Sequence, residues 1–134
     1  MTSIVVGYVT SPEGQAALRR AAEEAKLRAA TLVVVNSKKG GTALGAAEAA
    51  DQEREFDEVR AQLREAGVDH EVRSLVRGNE PSVDLIEVAE EVGADFIVIG
   101  LRRRSPVGKL FLGSQAQQIL LDAPCPVLAV KADE

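Results

Sequence analysis

Between positions 96 and 114 the chain reads FIVIGLRRRSPVGKLFLGS, and this stretch gathers most of the side chains that have anion chemistry to offer. Arg102, Arg103, Arg104 and Lys109 place four cations around Pro106 and Gly108, and Gly113-Ser114 then heads a new helical segment. The first N–H groups of a helix have no partner within it and carry the positive end of its dipole. A strand, a basic glycine-containing loop and a helix start in succession are therefore the parts of an anion site. Gly100, at the end of the apolar run, leaves room for a phosphate or a sugar, and Gly113 and Ser114 supply free amides and a hydroxyl. Arg103 or Lys109 would add charge-assisted hydrogen bonds. The same residues also suit a solvated crossover loop, with Gly100 as a strand exit and Gly113 as a plain helix cap.

Spacing excludes several other chemistries. No G-x-S-x-G elbow is present, and the single histidine, His70, lies on another strand with no serine placed to use it. Gly108-Lys109 is followed by Leu110 and preceded five residues earlier by Arg103, so the P-loop spacing fails. After the first apolar strand stands Gly7-Tyr8-Val9-Thr10 rather than a G-x-G-x-x-G turn. A phospho-receiver needs an acidic cluster at that point, and Val9 occupies it. His70 has no partners at metal-ligand spacing. A binding module is what remains.

Those residues need a scaffold. At 134 residues the chain is long enough to bury a core of its own as one domain, residues 1–134. A net charge of −5 argues against nucleic acid as the partner, so the local cationic cluster suits a small anionic ligand better than a polymer. Cys125 is the only cysteine, which fits a reducing compartment; its setting, Ala-Pro-Cys-Pro-Val, predicts a small buried residue. No apolar run reaches membrane-spanning length and no signal-peptide pattern opens the chain, so no membrane association and a cytoplasmic location are expected.

The elements alternate. Ser3 to Val9 is a β-branched run that reads as a buried strand, and Ser11 and Pro12 are the N-cap and first residue of a helix reaching about Ala29. Ala17, Leu18, Ala21, Ala22 and Ala25 form its inner face. Thr31 to Asn36 is a second strand, residues 38–45 a polar loop, and a second helix runs to about Ala66 with Phe56, Val59 and Leu63 inward. Gly67 closes it. Val68 to Val76 alternates, as an edge strand does. A helix beginning at Pro81 carries Leu85, Ile86, Val88, Ala89 and Val92 and ends at Gly93. The strand FIVI follows and breaks at Gly100; a last helix from Gly113-Ser114 turns Ala116, Ile119 and Leu120 inward, and Pro126 to Val130 is the final strand. Five strands, four of them followed by helices, make an α/β fold with a parallel sheet covered on both faces. Its ligand crevice lies at the strands' carboxyl ends, where the loops after Val9 and Ile99 meet.

The stretch I-G-L-R-R-R-S-P-V-G-K-L-F-L-G-S, followed by Q-I-L-L-D-A-P-C-P-V-L-A-V, resembles the universal stress protein family, whose members carry V-x-G-x-x-G-x(9)-G-[ST] after the fourth strand and an A-P-C-P-V-L-V-V-like final strand. Gly78-x-x-Pro81 and the segment from Ser11 to Leu18 are similar to the family as well. The resemblance implies a Rossmann-like fold of the adenine nucleotide alpha hydrolase type, with strand order 3-2-1-4-5. It further implies ATP or another adenine nucleotide at the loop between the fourth strand and fourth helix, and a homodimer formed through the last strand. The nucleotide-binding residues it implies are Gly7, Val9 and Thr10 from the first strand's exit, Asn36 and Ser37 near the adenine, and Gly100, Arg103, Gly113, Ser114, Gln115 and Ala116. Two positions depart from the pattern: the middle glycine of the motif is Arg103, and the aspartate of the family's V-D-x-S is Val9. Arginine there either obstructs the phosphate path or supplies a cation to it. The expectation is therefore a nucleotide-binding stress regulator, with a ligand-free dimeric scaffold as the alternative. With no carboxylate read near Val9 to hold a metal or a water, catalysis of ATP hydrolysis is not expected.

Overall fold

A computed structural model of the chain describes residues 2–38, 46–102 and 112–132. Its described elements run β1 (Ser3–Gly7), α1 (Pro12–Arg28), β2 (Thr31–Lys38), α2 (Ala46–Glu65), β3 (His70–Val76), α3 (Pro81–Val92), β4 (Phe96–Leu101), α4 (Ser114–Asp122) and β5 (Val127–Lys131). The strands form one five-stranded parallel sheet in the order β3-β2-β1-β4-β5. β1 is central, with Ile4 paired to Leu32 on one side and to Phe96 on the other.

Because side chains alternate along a strand, each buried strand feeds two cores. Ile4, Val6, Val34 and Val98 meet Ala17, Ala21, Val59 and Leu63 of α1 and α2. Val5, Val33, Val35, Ile97 and Ile99 meet Leu85, Val88, Ala89 and Ile119 of α3 and α4. The alanines of α1 keep that helix close to the sheet. Fully burying a valine or isoleucine is worth roughly 1.5–3 kcal/mol, so these two layers supply most of the driving force. β3 at the edge has no fully buried residue; its half-buried and exposed positions alternate except at Val72-Arg73, where two half-buried residues follow each other.

Caps define the ends. Ser11 Oγ accepts from Gly14 N at 3.3 Å, and Pro12 begins α1. Gly93 closes α3 in the left-handed region (φ 62°), where a residue without Cβ is unstrained. α1 closes differently: Ala29 takes that role at φ 52°.

Several boundaries differ from the sequence reading. β1 ends at Gly7; Tyr8 N still donates to Val35 O at 2.9 Å, but Val9 turns outward and is half exposed. β3 starts at His70: the turn falls at Ala66-Gly67, and Val68 and Asp69 lead from it into the strand. β2 continues to Lys38, carried by its pairing with Val76. β4 does not break at Gly100 but runs on to Leu101, held by β5 through Val130 and Lys131. Leu120 does not face inward: it is 43 % exposed, since only Ile119 of the run Ile119-Leu120-Leu121 can point at the sheet. Cys125 is half-buried rather than buried, and burial, then the Asp95 charge, push its thiol above the ordinary range.

Candidate functional site

A cavity of about 180 Å³ opens at the carboxyl ends of β1, β2 and β4, between the first turns of α1, α3 and α4. Gly7, Val9 and Gly14 line one side, Val35 and Ser37 another, and Leu85, Ile99, Ala116 and Ile119 the apolar floor. It sits at the switch point, where β1 is flanked by β2 and β4 whose crossovers leave in opposite directions.

Two glycines let the chain pack this tightly. A Cβ on Gly14 would lie 1.9 Å from Val9 O, and one on Gly100 would lie 2.1 Å from Glu13 O. The first turn of α1 is therefore seated directly on the backbone of β4. At Gly100 the missing side chain makes room for α1, and the residue also lines the cavity.

The cavity's polar groups are few. Glu13 is the only charged residue among its described lining residues. Burial pushes the Glu13 carboxyl up, but its own backbone N–H, the Ser11 hydroxyl and the Arg102 guanidinium outweigh that and hold it below the usual carboxylate range. Arg102 Nε meets Glu13 Oε1 at 3.3 Å. A carboxylate thus stands four residues beyond Val9, contrary to the expectation of none nearby. Among the described residues, no group of three or more His, Cys, Asp or Glu is arranged to hold a metal ion.

Ser37 closes the α3 side. Its hydroxyl donates to Asp84 Oδ2 at 2.6 Å, while Arg77 Nη2 and Asn79 Nδ2 each donate to Asp84 Oδ1 at 3.0 Å. Asp84 is fully buried, and burial alone would raise its pKa; the bonds from Ser37, Asn79 and Arg77 outweigh that and hold it below the ordinary range. Gln115 ties α4 to α3, accepting from Ser82 N at 2.9 Å and donating to Glu80 Oε2 at 3.1 Å.

The profile of the universal stress protein family matches residues 1–131. This chain belongs to the universal stress protein family. A universal stress protein of Mycolicibacterium smegmatis is 44% identical over 128 residues, covering 96% of each chain. A solved universal stress protein from Archaeoglobus fulgidus superposes with a TM-score of 0.83 at 39% identity, covering 98% of this chain and 99% of that one. A second from Archaeoglobus fulgidus, solved in complex with dAMP, gives 0.78 at 33% identity and covers 98% of each chain. A universal stress protein solved in complex with cAMP gives 0.74 at 25% identity over 98% of each chain. The Rossmann-like fold and a stress-response role go with this membership.

Of the residues singled out in this universal stress protein's sequence, the cavity gathers Gly7, Val9, Ser37, Gly100, Gln115 and Ala116. Thr10 and Asn36 line a neighbouring cleft with Val9, Lys38, Glu48, Asp51, Gln52 and Glu55. Asn36 is buried there as a brace: Nδ2 donates to Tyr8 O at 2.9 Å and Oδ1 accepts from Gln52 Nε2 at 3.3 Å. Gly113 is the N-cap of α4 and Ser114 its first residue, and neither lines the cavity. Arg103, with Arg104 and Lys109, lies outside the described residues. Sequence reasoning missed Glu13, Asp84 and the glycine at position 14. The signal for Gly14 was its place one turn into a helix, where glycine is otherwise costly.

Proposed function

We propose that this universal stress protein binds an adenine nucleotide with its base in the β1–β4 cavity, and that it acts as a binding module in the stress response rather than as an enzyme. The observation that carries the reading is the cavity's make-up: a slot at the switch point, floored by Leu85, Ile99, Ala116 and Ile119, with Glu13 the one charged residue among its described lining residues. Such a slot accepts the faces of a planar ring and offers polar groups only at its rim. The dAMP and cAMP complexes of relatives at 33% and 25% identity support an adenine nucleotide as the ligand. Pockets that enclose a drug-sized ligand run to ~300–1,000 Å³. The smaller volume here favours enclosure of the base alone, with phosphates outside it. A monophosphate or cyclic nucleotide then binds nearly as well as ATP.

Isothermal titration of the full chain with ATP, ADP, AMP and cyclic AMP tests this. Saturable heat with similar affinities for AMP and ATP is expected, and no heat beyond dilution at millimolar ligand overturns it. Hydrolysis is not part of the proposal: Glu13, the carboxylate that lines this cavity, is already engaged by Arg102.

A second reading, a dimeric scaffold, draws on one observation. β5 is the outer strand beside β4, and among the described residues no strand pairs with its other edge. Unpaired edges are where second copies add. A homodimer through β5 is expected to sediment as such at tens of micromolar, with or without nucleotide; a monomer at that concentration removes it.

A further inference from the structure

The Ser37–Asp84 bond has a direction, and the direction has a consequence for the cavity. Along β2 the side chains of Val33, Val35 and Ser37 share one face, and Val33 and Val35 pack in the core with Leu85 and Ile119. Ser37 therefore points into the layer that holds the cavity, which it lines. Its hydroxyl has one proton and two lone pairs. Asp84 is a fully buried carboxylate with only acceptor positions: Oδ1 takes Arg77 Nε at 3.2 Å, Arg77 Nη2 at 3.0 Å and Asn79 Nδ2 at 3.0 Å, leaving Oδ2 for Ser37 at 2.6 Å. A carboxylate has no proton to give, so the Ser37 proton is committed to it.

We infer that Asp84 is a positioning residue that makes Ser37 an acceptor only, so the site selects a ring with an amino group on the edge facing Ser37 over one with a carbonyl there. For purines this means the 6-amino class over the 6-oxo class. The inference rests on the nucleotide reading of the cavity and adds the atom that does the reading. A carbonyl set against Ser37 Oγ would leave two acceptors facing each other without a proton between them, which lowers affinity by about tenfold or more.

The same geometry prescribes what Asp84→Asn does. Arg77 can only donate, so it keeps the amide oxygen where Oδ1 now stands, and the amide nitrogen takes the place of Oδ2. That nitrogen donates to Ser37 Oγ and frees the hydroxyl proton toward the cavity. Ser37 becomes a donor there, and the preference between the two ring edges inverts.

The experiment is calorimetric titration of the full chain and of Asp84→Asn and Ser37→Ala with AMP and with IMP, alongside thermal unfolding of each. Wild type is expected to favour AMP by about tenfold or more. Asp84→Asn is expected to bind IMP more tightly than wild type does, and Ser37→Ala to lose the preference with IMP binding little changed. If Asp84 merely supports the fold, Asp84→Asn weakens both nucleotides in proportion; an unmoved ratio in that variant overturns the inference. Should Asp84→Asn not fold, Ser37→Ala decides: a ratio that stays at the wild-type value overturns it. Equal binding of AMP and IMP by wild type overturns this inference and leaves the nucleotide reading standing. Binding of neither overturns both.

Discussion

Placing one methyl group on Gly100 tests how the site is built. The added Cβ would sit 2.1 Å from the carbonyl oxygen of Glu13 and 2.6 Å from its carbonyl carbon, where real Cβ contacts essentially never fall below 3.0 Å. The obstacle is backbone in the first turn of α1, which no rotamer change can remove. α1 and β4 must separate by roughly 1 Å, and overpacking of this kind costs ~1–3 kcal/mol. With both neighbours backbone, the upper end applies. At ~2.1 cal/mol/K per residue, about 3 kcal/mol lowers the melting temperature of a chain this size by about 10 °C. Gly7→Ala is the control, because its Cβ would meet only the two Leu85 methyls, at 3.2 and 3.7 Å; it is expected to cost under about 1 kcal/mol. Thermal and urea unfolding followed by circular dichroism measure both. If Gly100→Ala melts within 2 °C of wild type (about 0.6 kcal/mol on the same scale), the seating of α1 on β4 is not what glycine serves at this position.

Three further outcomes follow from the geometry. Ala29→Gly removes the strain of a Cβ at φ 52° and is expected to raise stability by ~0.5–1 kcal/mol, read as a higher urea midpoint. Arg102→Ala removes a partner that is 59% exposed, so stability changes by less than ~1 kcal/mol, while the Glu13 carboxyl titrates closer to its ordinary value by carbon-detected NMR. Asp84 titrates lower in the folded chain than in the unfolded one, where carboxyls titrate near ~4. Its stabilisation is accordingly present above that unfolded value and is lost as pH falls through the folded one. Asp84→Ala is expected to cost about 3 kcal/mol at pH 7, by stranding Arg77 and Asn79, and to flatten the acid limb of a urea-midpoint profile. A wild-type-like slope in that variant as pH falls below about 4, the unfolded carboxyl value, counts against the assignment.

The sheet was legible because its strands are short β-branched runs, and the run IVV of β1 could be buried on both faces in only one kind of sheet. Strand order is another matter: 3-2-1-4-5 came from resemblance to a family, since local pattern says nothing about which strands lie side by side. What escaped reading has a common physical character. Asp84 looks like a first-turn acid on an exposed face, yet its partners come from the end of β2 and from residues 77–79, and only the fold brings those together. At Gly100 a sequence does not show that the Glu13 carbonyl lies where a side chain would go. Leu120 was placed inward from apolarity alone, although a helix of nine residues has a narrow inner face and Ile119 takes it.

The central position of β1 also bears on how the chain is made. Ile4, Val5 and Val6 are wholly buried, and their pairing on one side is with Phe96, Ile97 and Val98. During synthesis the β2 side of β1 is available early, but the β4 side stays an open apolar edge until some ninety further residues have emerged. At ~5–20 residues per second that interval lasts roughly 5–20 s, long compared with the microseconds in which hairpins and helices form. The nascent half-sheet is thus the state most exposed to pairing with the wrong strand, and it is closed by a segment that arrives only in the last third of the chain.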